Sequence, residues 1–133
     1  MPAFEKLVSK RGLYDKDLAN AAATDVIDIS DQDNIMVQVT SIGSSTGSVI
    51  LYGSYDTDNK PDISQAISKT NSYFTLNTLG ATSGTMSPGG TGMVLTAGSA
   101  VGADVNIASL AWIVAKATVT AGTTINVKIW ATH

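Results

Sequence analysis

The sequence predicts an all-β fold: a single antiparallel sandwich or jelly-roll-like domain preceded by an N-terminal arm that contains a short helix. Three observations predict it. Val and Ile together number 22 against 8 Leu, and Thr adds 16; β-branched side chains are stiff at χ1 and suit a pleated surface better than a helix. Glu and Arg, two residues that normally fill helical surfaces, occur once each, as Glu5 and Arg11. Apolar and polar residues alternate in short stretches separated by Gly-, Ser- and Asx-rich turns, the period-two pattern of half-buried strands. A chain of 133 residues corresponds to one domain and is long enough to bury a sizeable core.

Residues 1–24 differ from the rest and form the expected arm, with the sandwich over 25–133. Half of the eight basic residues are in this stretch: Lys6, Lys10, Arg11 and Lys16. Phe4, Leu7 and Val8 fall at i, i+3 and i+4, one face of a helix, with Pro2 before it and Gly12 after it. The spacing predicts a helix over about 3–11, too short to be stable alone and so in need of a surface to dock on. Leu13 to Thr24 mixes Leu13, Tyr14 and Leu18 with charges and reads as arm or linker rather than core.

Strands are expected from Asp25 onward. Asp25–Ser30 is a short one. Ile35, Val37 and Val39 alternate with Met36, Gln38 and Thr40; Gly43-Ser44-Ser45-Thr46-Gly47 is a turn; Val49–Ser54 follows, so 34–54 reads as a hairpin. Tyr55–Asp62 is a polar loop, and Ile63–Ser68 is ambiguous. Ser72–Leu79 reads as a strand with Phe74 and Leu76 on one face. Residues 80–102 hold fourteen Gly, Ser or Thr, with Gly92–Thr96 as a candidate strand. Ala108–Val119 and Thr123–Thr132 are the clearest strands. Ile113, Ala115, Ala117 and Val119 share one face of the first, and Ile125, Val127 and Ile129 one face of the second; both sets should point inward. If the two strands pair, a three-residue loop, Thr120-Ala121-Gly122, brings like faces together and puts Gly122 at the left-handed position of a G1 bulge. Ile113 then faces Ile129, Ala115 faces Val127, Ala117 faces Ile125, and Trp112 lies across from Trp130 on the outer face. The alternative is that the two strands belong to different sheets.

Composition removes most chemistries. There is no Cys, so disulfides and thiolate metal sites are out. The one His is His133. Gly43-Ser44-Ser45-Thr46-Gly47 matches the G-x-S-x-G of a nucleophile elbow, but it lies between two strands rather than between strand and helix, and the turn reading is preferred. No Gly-rich phosphate-binding motif is present. Asp31-Gln32-Asp33-Asn34 and Asp56-Thr57-Asp58-Asn59 offer alternating oxygen ligands, with Asp25 and Asp28 upstream of the first. Calcium needs six to eight oxygens, and Asx turns account for such clusters on their own; calcium at Asp31/Asp33 stays an open alternative. The expectation is no enzyme, no cofactor and no metal site. A net charge of −3 disfavours a nucleic-acid partner held by phosphate neutralisation. No apolar run of 18–20 residues and no charged-then-apolar leader is present, so no membrane partner is expected.

Two features call for a positive role. Residues 70–115 carry a single charge, Asp104, a depletion that suits burial between subunits. Trp112 and Trp130 fall opposite the inward-facing residues of their strands, where aromatics mark an interface or a sugar-stacking platform that Tyr52 would complete.

The run Val37-Gln38-Val39, a Gly/Ser turn, Val49-Ile50-Leu51-Tyr52-Gly53-Ser54-Tyr55-Asp56, then Trp112-Ile113-Val114-Ala115-Lys116 and Ala121-Gly122-Thr123-Thr124-Ile125-Asn126-Val127-Lys128-Ile129 resembles small all-β virion proteins of tailed bacteriophages, over about residues 34–131. The resemblance implies a structural role as a capsid decoration (cement) protein on the virion surface. It also implies a homo-oligomer, a trimer above all, seated on the major capsid protein. Phe4, Leu7, Val8, Leu13, Tyr14, Trp112 and Trp130 are the expected interface residues. The rival readings are a carbohydrate- or receptor-binding tail module and a minor head or tail completion protein.

Overall fold

The computed structural model describes residues 10–30, 32, 34–55, 74–80, 86–87, 92–106 and 110–132. Every regular element among them is a strand: β1 (Lys10–Ala19), β2 (Ile27–Asp28), β3 (Asn34–Ser41), β4 (Thr46–Ser54), β5 (Phe74–Thr75), β6 (Thr78–Gly80), β7 (Met86–Ser87), β8 (Met93–Leu95), β9 (Ala100–Asn106), β10 (Trp112–Ala121) and β11 (Thr124–Thr132). They form two antiparallel sheets. One has six strands in the order β1-β11-β3-β9-β6-β7; the other has five, β2-β10-β4-β5 with β8 also on β4. Four of the pairings are nested in sequence: β1 with β11, β2 with β10, β3 with β9 and β4 with β8. Successive members of that nest alternate between the sheets.

The alternation that predicted the strands also builds the core. On β3, β10 and β11 the inward positions Ile35, Val37, Val39, Ile113, Ala115, Ala117, Ile125, Val127 and Ile129 are all essentially inaccessible and form one hydrophobic cluster with Val49, Leu51, Leu76, Met93, Leu95 and Val105. Side chains of the two inner faces interdigitate in this way wherever two sheets stack.

Both expected hairpins are corrected. β10 and β11 are not partners: β10 pairs with β4 and β2, β11 with β1 and β3. Trp112 is registered with Ser54 and Asp28, and Trp130 with Met36 and Gly12. Likewise β3 and β4 lie in opposite sheets. The assignment of residues to inner and outer faces stands; the apolar sets meet across the sandwich instead of side by side. Periodicity of two tells which face is buried but not which sheet a strand joins. Gly122 does adopt the left-handed conformation (φ 85°), but as an arch between sheets. A Cβ there would lie 2.7 Å from Ser45 Cα, so the β10–β11 arch sits directly on the β3–β4 arch.

The N-terminal stretch is corrected as well. Lys10 and Arg11, the end of the expected helix, are extended in β1, and residues 1–9 lie outside the described residues. Lys10–Ala19 pairs with β11 along its whole length, with a bulge between Gly12 and Tyr14, and Leu18 belongs to the core. Residues 20–29 then cross to the other sheet and run beside β10. The Ala21 and Thr24 N–H groups donate to Ala117 O (3.0 Å) and Ala115 O (2.8 Å), and the buried Thr24 hydroxyl accepts from Ala115 N–H at 3.0 Å. The strand went unrecognised because Asp15, Lys16 and Asp17 break its alternation, and charges are what an edge strand tolerates and uses against unwanted pairing. The expected strand Ser72–Leu79 is split between sheets as β5 and β6. Met93–Leu95 is a strand inside Gly92–Thr96 as expected, and β9 emerges from the Gly-rich stretch.

Candidate functional site

The serine candidate resolves simply, and the acidic clusters fall only in part within the described residues. Gly43–Ser45 is the β3–β4 arch. Ser45 is fully buried; its hydroxyl accepts from Ile42 N–H at 2.9 Å, and its carbonyl accepts from the Ser41 hydroxyl at 2.8 Å. The serine closes a turn, and its side-chain hydrogen-bond partners among the described residues, Ser41 and Ile42, include no general base. Asp28 accepts from the Ser30 N–H (2.9 Å) and hydroxyl (2.7 Å), an Asx turn. Asp31, Asp33, Asp56, Asp58 and His133 lie outside the described residues; among the described ones no group of three or more His, Cys, Asp or Glu could hold a metal ion. No helix among the described residues is long and apolar enough to cross a membrane.

The aromatic candidates are more informative. Trp112 and Trp130 sit on the outer faces of opposite sheets, with the core between them. On the five-stranded sheet Trp112 joins Val26, Tyr52 and Val114, flanked by Ala23 and Ile50, in a second hydrophobic cluster. Val114 is 0% and Tyr52 7% exposed although both point away from the core. The centre of that outer face is therefore itself buried. The expected Trp112–Trp130–Tyr52 platform is not assembled.

The other outer face is open. Register places Gly12, Trp130, Met36, Asp104 and Leu79 in one row across β1, β11, β3, β9 and β6. Trp130 and Met36 are half-buried, and Leu79 is 39% exposed. The next row runs Asp15, Lys128, Gln38, Gly102, and the next Asp17, Asn126, Thr40, Ala100. Asn126 Nδ2 donates to Asp15 Oδ1 (3.2 Å) and Asp17 Oδ1 (2.9 Å), which ties β1 to β11.

A shallow groove of about 410 Å³ opens where the rows meet the edge, lined by Gly12, Leu13, Tyr14, Asp15, Lys128 and Trp130. The bulge at Gly12–Tyr14 makes it. The extra residue interrupts the ladder and turns the strand, and Gly12 presents no side chain against the indole, 3.9 Å from Trp130 Cδ1 to where its Cβ would stand. Tyr14 is half-buried at the sandwich edge, where burial and then the nearby Asp25 charge push its phenol above the usual value of 10.0. Of the expected interface residues, Leu13, Tyr14 and Trp130 are thus brought together. Trp112 is placed on the far side, and Phe4, Leu7 and Val8 lie outside the described residues. Asp15 and Lys128 were missed; outward alternation with Trp130 was the available signal for Lys128.

No family model and no curated protein matches this chain. Among solved structures, the crystal structure of the SPBc2 prophage-derived protein YomS is similar in fold. It matches over 95% of this chain and 93% of its own, with a TM-score of 0.65 and 13% identity. The likeness is one of fold: a two-sheet antiparallel domain shared, end to end, with a protein of prophage origin.

Proposed function

We propose that this chain is a structural protein of a tailed-bacteriophage particle, of the capsid decoration type, and that it works by binding other polypeptides and catalyses nothing. The observation that carries the reading is the open outer face with Trp130, Met36 and Leu79 in one row. Large apolar side chains on the outside of a sheet gain free energy by being covered. Two further points support it. The nested pairing that alternates between two antiparallel sheets is compatible with the winding of a jelly roll, an architecture of viral capsid and lectin domains, and the fold resembles that of a prophage-derived protein. The partners in this reading are further copies of the chain, as a trimer, and the major capsid protein on the virion surface; neither nucleic acid nor membrane is involved.

The test is cosedimentation of the purified chain with capsids that lack it. Binding that saturates at a fixed ratio and is lost in Trp130→Ala/Leu79→Ser supports the proposal. No binding, or binding unchanged by the double substitution, overturns it. The carbohydrate-binding alternative would have to work without a joint platform, because Trp112 and Tyr52 lie on one sheet and Trp130 on the other, and a sugar titration followed by tryptophan fluorescence tests it.

A further inference from the structure

We propose that the groove at the β1 bulge receives residues 1–9 of a second copy of this chain, so that copies are linked head to tail; the inference rests on the self-associating role proposed above. Three observations select this occupant.

The first is charge. The groove sets one acid, Asp15, and one base, Lys128, beside Trp130 and Leu13. Residues 1–9 carry one base, Lys6, and one acid, Glu5, between the apolar Phe4 and Leu7. Each side thus offers the other an opposite charge flanked by an apolar side chain, the complementarity that sets register and suppresses wrong partners.

The second is reach. Residues 1–9 immediately precede β1, whose Lys10 is opposite Thr132. Nine residues can span up to about 30 Å, enough to reach an adjacent molecule. The third is position. The groove lies on β1, which among the described residues has β11 as its single strand neighbour, so a segment can enter it without displacing a described strand. A heterologous contact of this kind closes into a ring when the rotation allows, which gives each copy one donated segment and one filled groove.

Charge reversal tests it. Lys6→Glu and Asp15→Lys are each expected to weaken self-association roughly tenfold by sedimentation velocity, and the double variant Lys6→Glu/Asp15→Lys to regain most of it. Mixing the two single variants should also raise assembly above either alone, because one of the possible contacts is then matched. Thermal melts of each variant confirm folding. Assembly that is unchanged in both single variants, or weakened but not regained in the double variant and the mixture, overturns the inference. So does a full-length chain that is monomeric and loses only thermal stability when residues 2–9 are removed, which would place the segment on its own groove. Capsid binding that persists in a variant unable to self-associate would sink this inference and leave the structural role standing.

Discussion

The two outer faces of the sandwich carry one half-buried tryptophan each and differ in what surrounds it. Around Trp112 the face is apolar and closed: Val114 and Tyr52 are buried there, with Val26 from the segment beside β10 packed on them. Around Trp130 the face is polar and open, with Asp15, Asp17, Lys128, Gln38 and Asp104 among the large apolar side chains. The same residue type is therefore packed in an apolar cluster on one side and stands among polar side chains on the other. What separates the two is the company each keeps across the strands, which sequence neighbours do not reveal.

The largest expected difference is at the centre of each face. Val114→Asp puts a charge where there is no solvent and should cost ~4 kcal/mol or more, enough to unfold most of the population. Gln38→Asp, central on the open face, should stay within about 0.5 kcal/mol by urea denaturation. A folded Val114→Asp protein would contradict the closed face.

Next come the tryptophans themselves. Trp112→Ala should cost about 2–3 kcal/mol of stability and leave assembly of the folded protein intact. Trp130→Ala should cost about 1 kcal/mol in the fold but weaken self-association roughly thirtyfold, as removal of an aromatic anchor does. Equal stability losses, or assembly lost in Trp112→Ala, would erase the distinction.

A smaller effect separates the arches from the faces. Gly122→Ala combines a left-handed backbone with a contact on Ser45 Cα and should cost roughly 1–3 kcal/mol without changing assembly.

The smallest effect is at the edge that joins the faces. The Tyr14 phenol is raised above 10.0, so its neutral form is favoured in the folded protein. The stability it contributes is complete below pH 10 and is lost as pH rises through the higher folded value. The melting temperature should therefore fall above pH 10, and fall less in Tyr14→Phe; identical alkaline profiles would show that Tyr14 is solvated.

How much of this was legible in the sequence follows from what periodicity encodes. β3, β10 and β11 and their buried faces were readable residue by residue, because Ile35/Val37/Val39, Ile113/Ala115/Ala117 and Ile125/Val127/Ile129 alternate strictly. The partners of those strands were not. Short Gly-containing links such as Gly122-Thr123 serve a hairpin or an arch equally, and in both the apolar sets point inward. β1 was hidden by Asp15-Lys16-Asp17, residues that suit an edge strand and break the pattern of a central one. At the groove, Leu13, Tyr14 and Trp130 were read as interface residues. Their meeting at one place depends on a bulge and on pairing across 118 positions, Gly12 with Trp130, which local pattern does not carry.

The central claim, that this domain exists to be built into a particle, is tested most directly by quantitative mass spectrometry of purified phage particles. The account predicts this chain at a fixed, near-stoichiometric ratio to the major capsid protein. Its absence from intact particles, or a copy number fitting only a single vertex or tail, would contradict it.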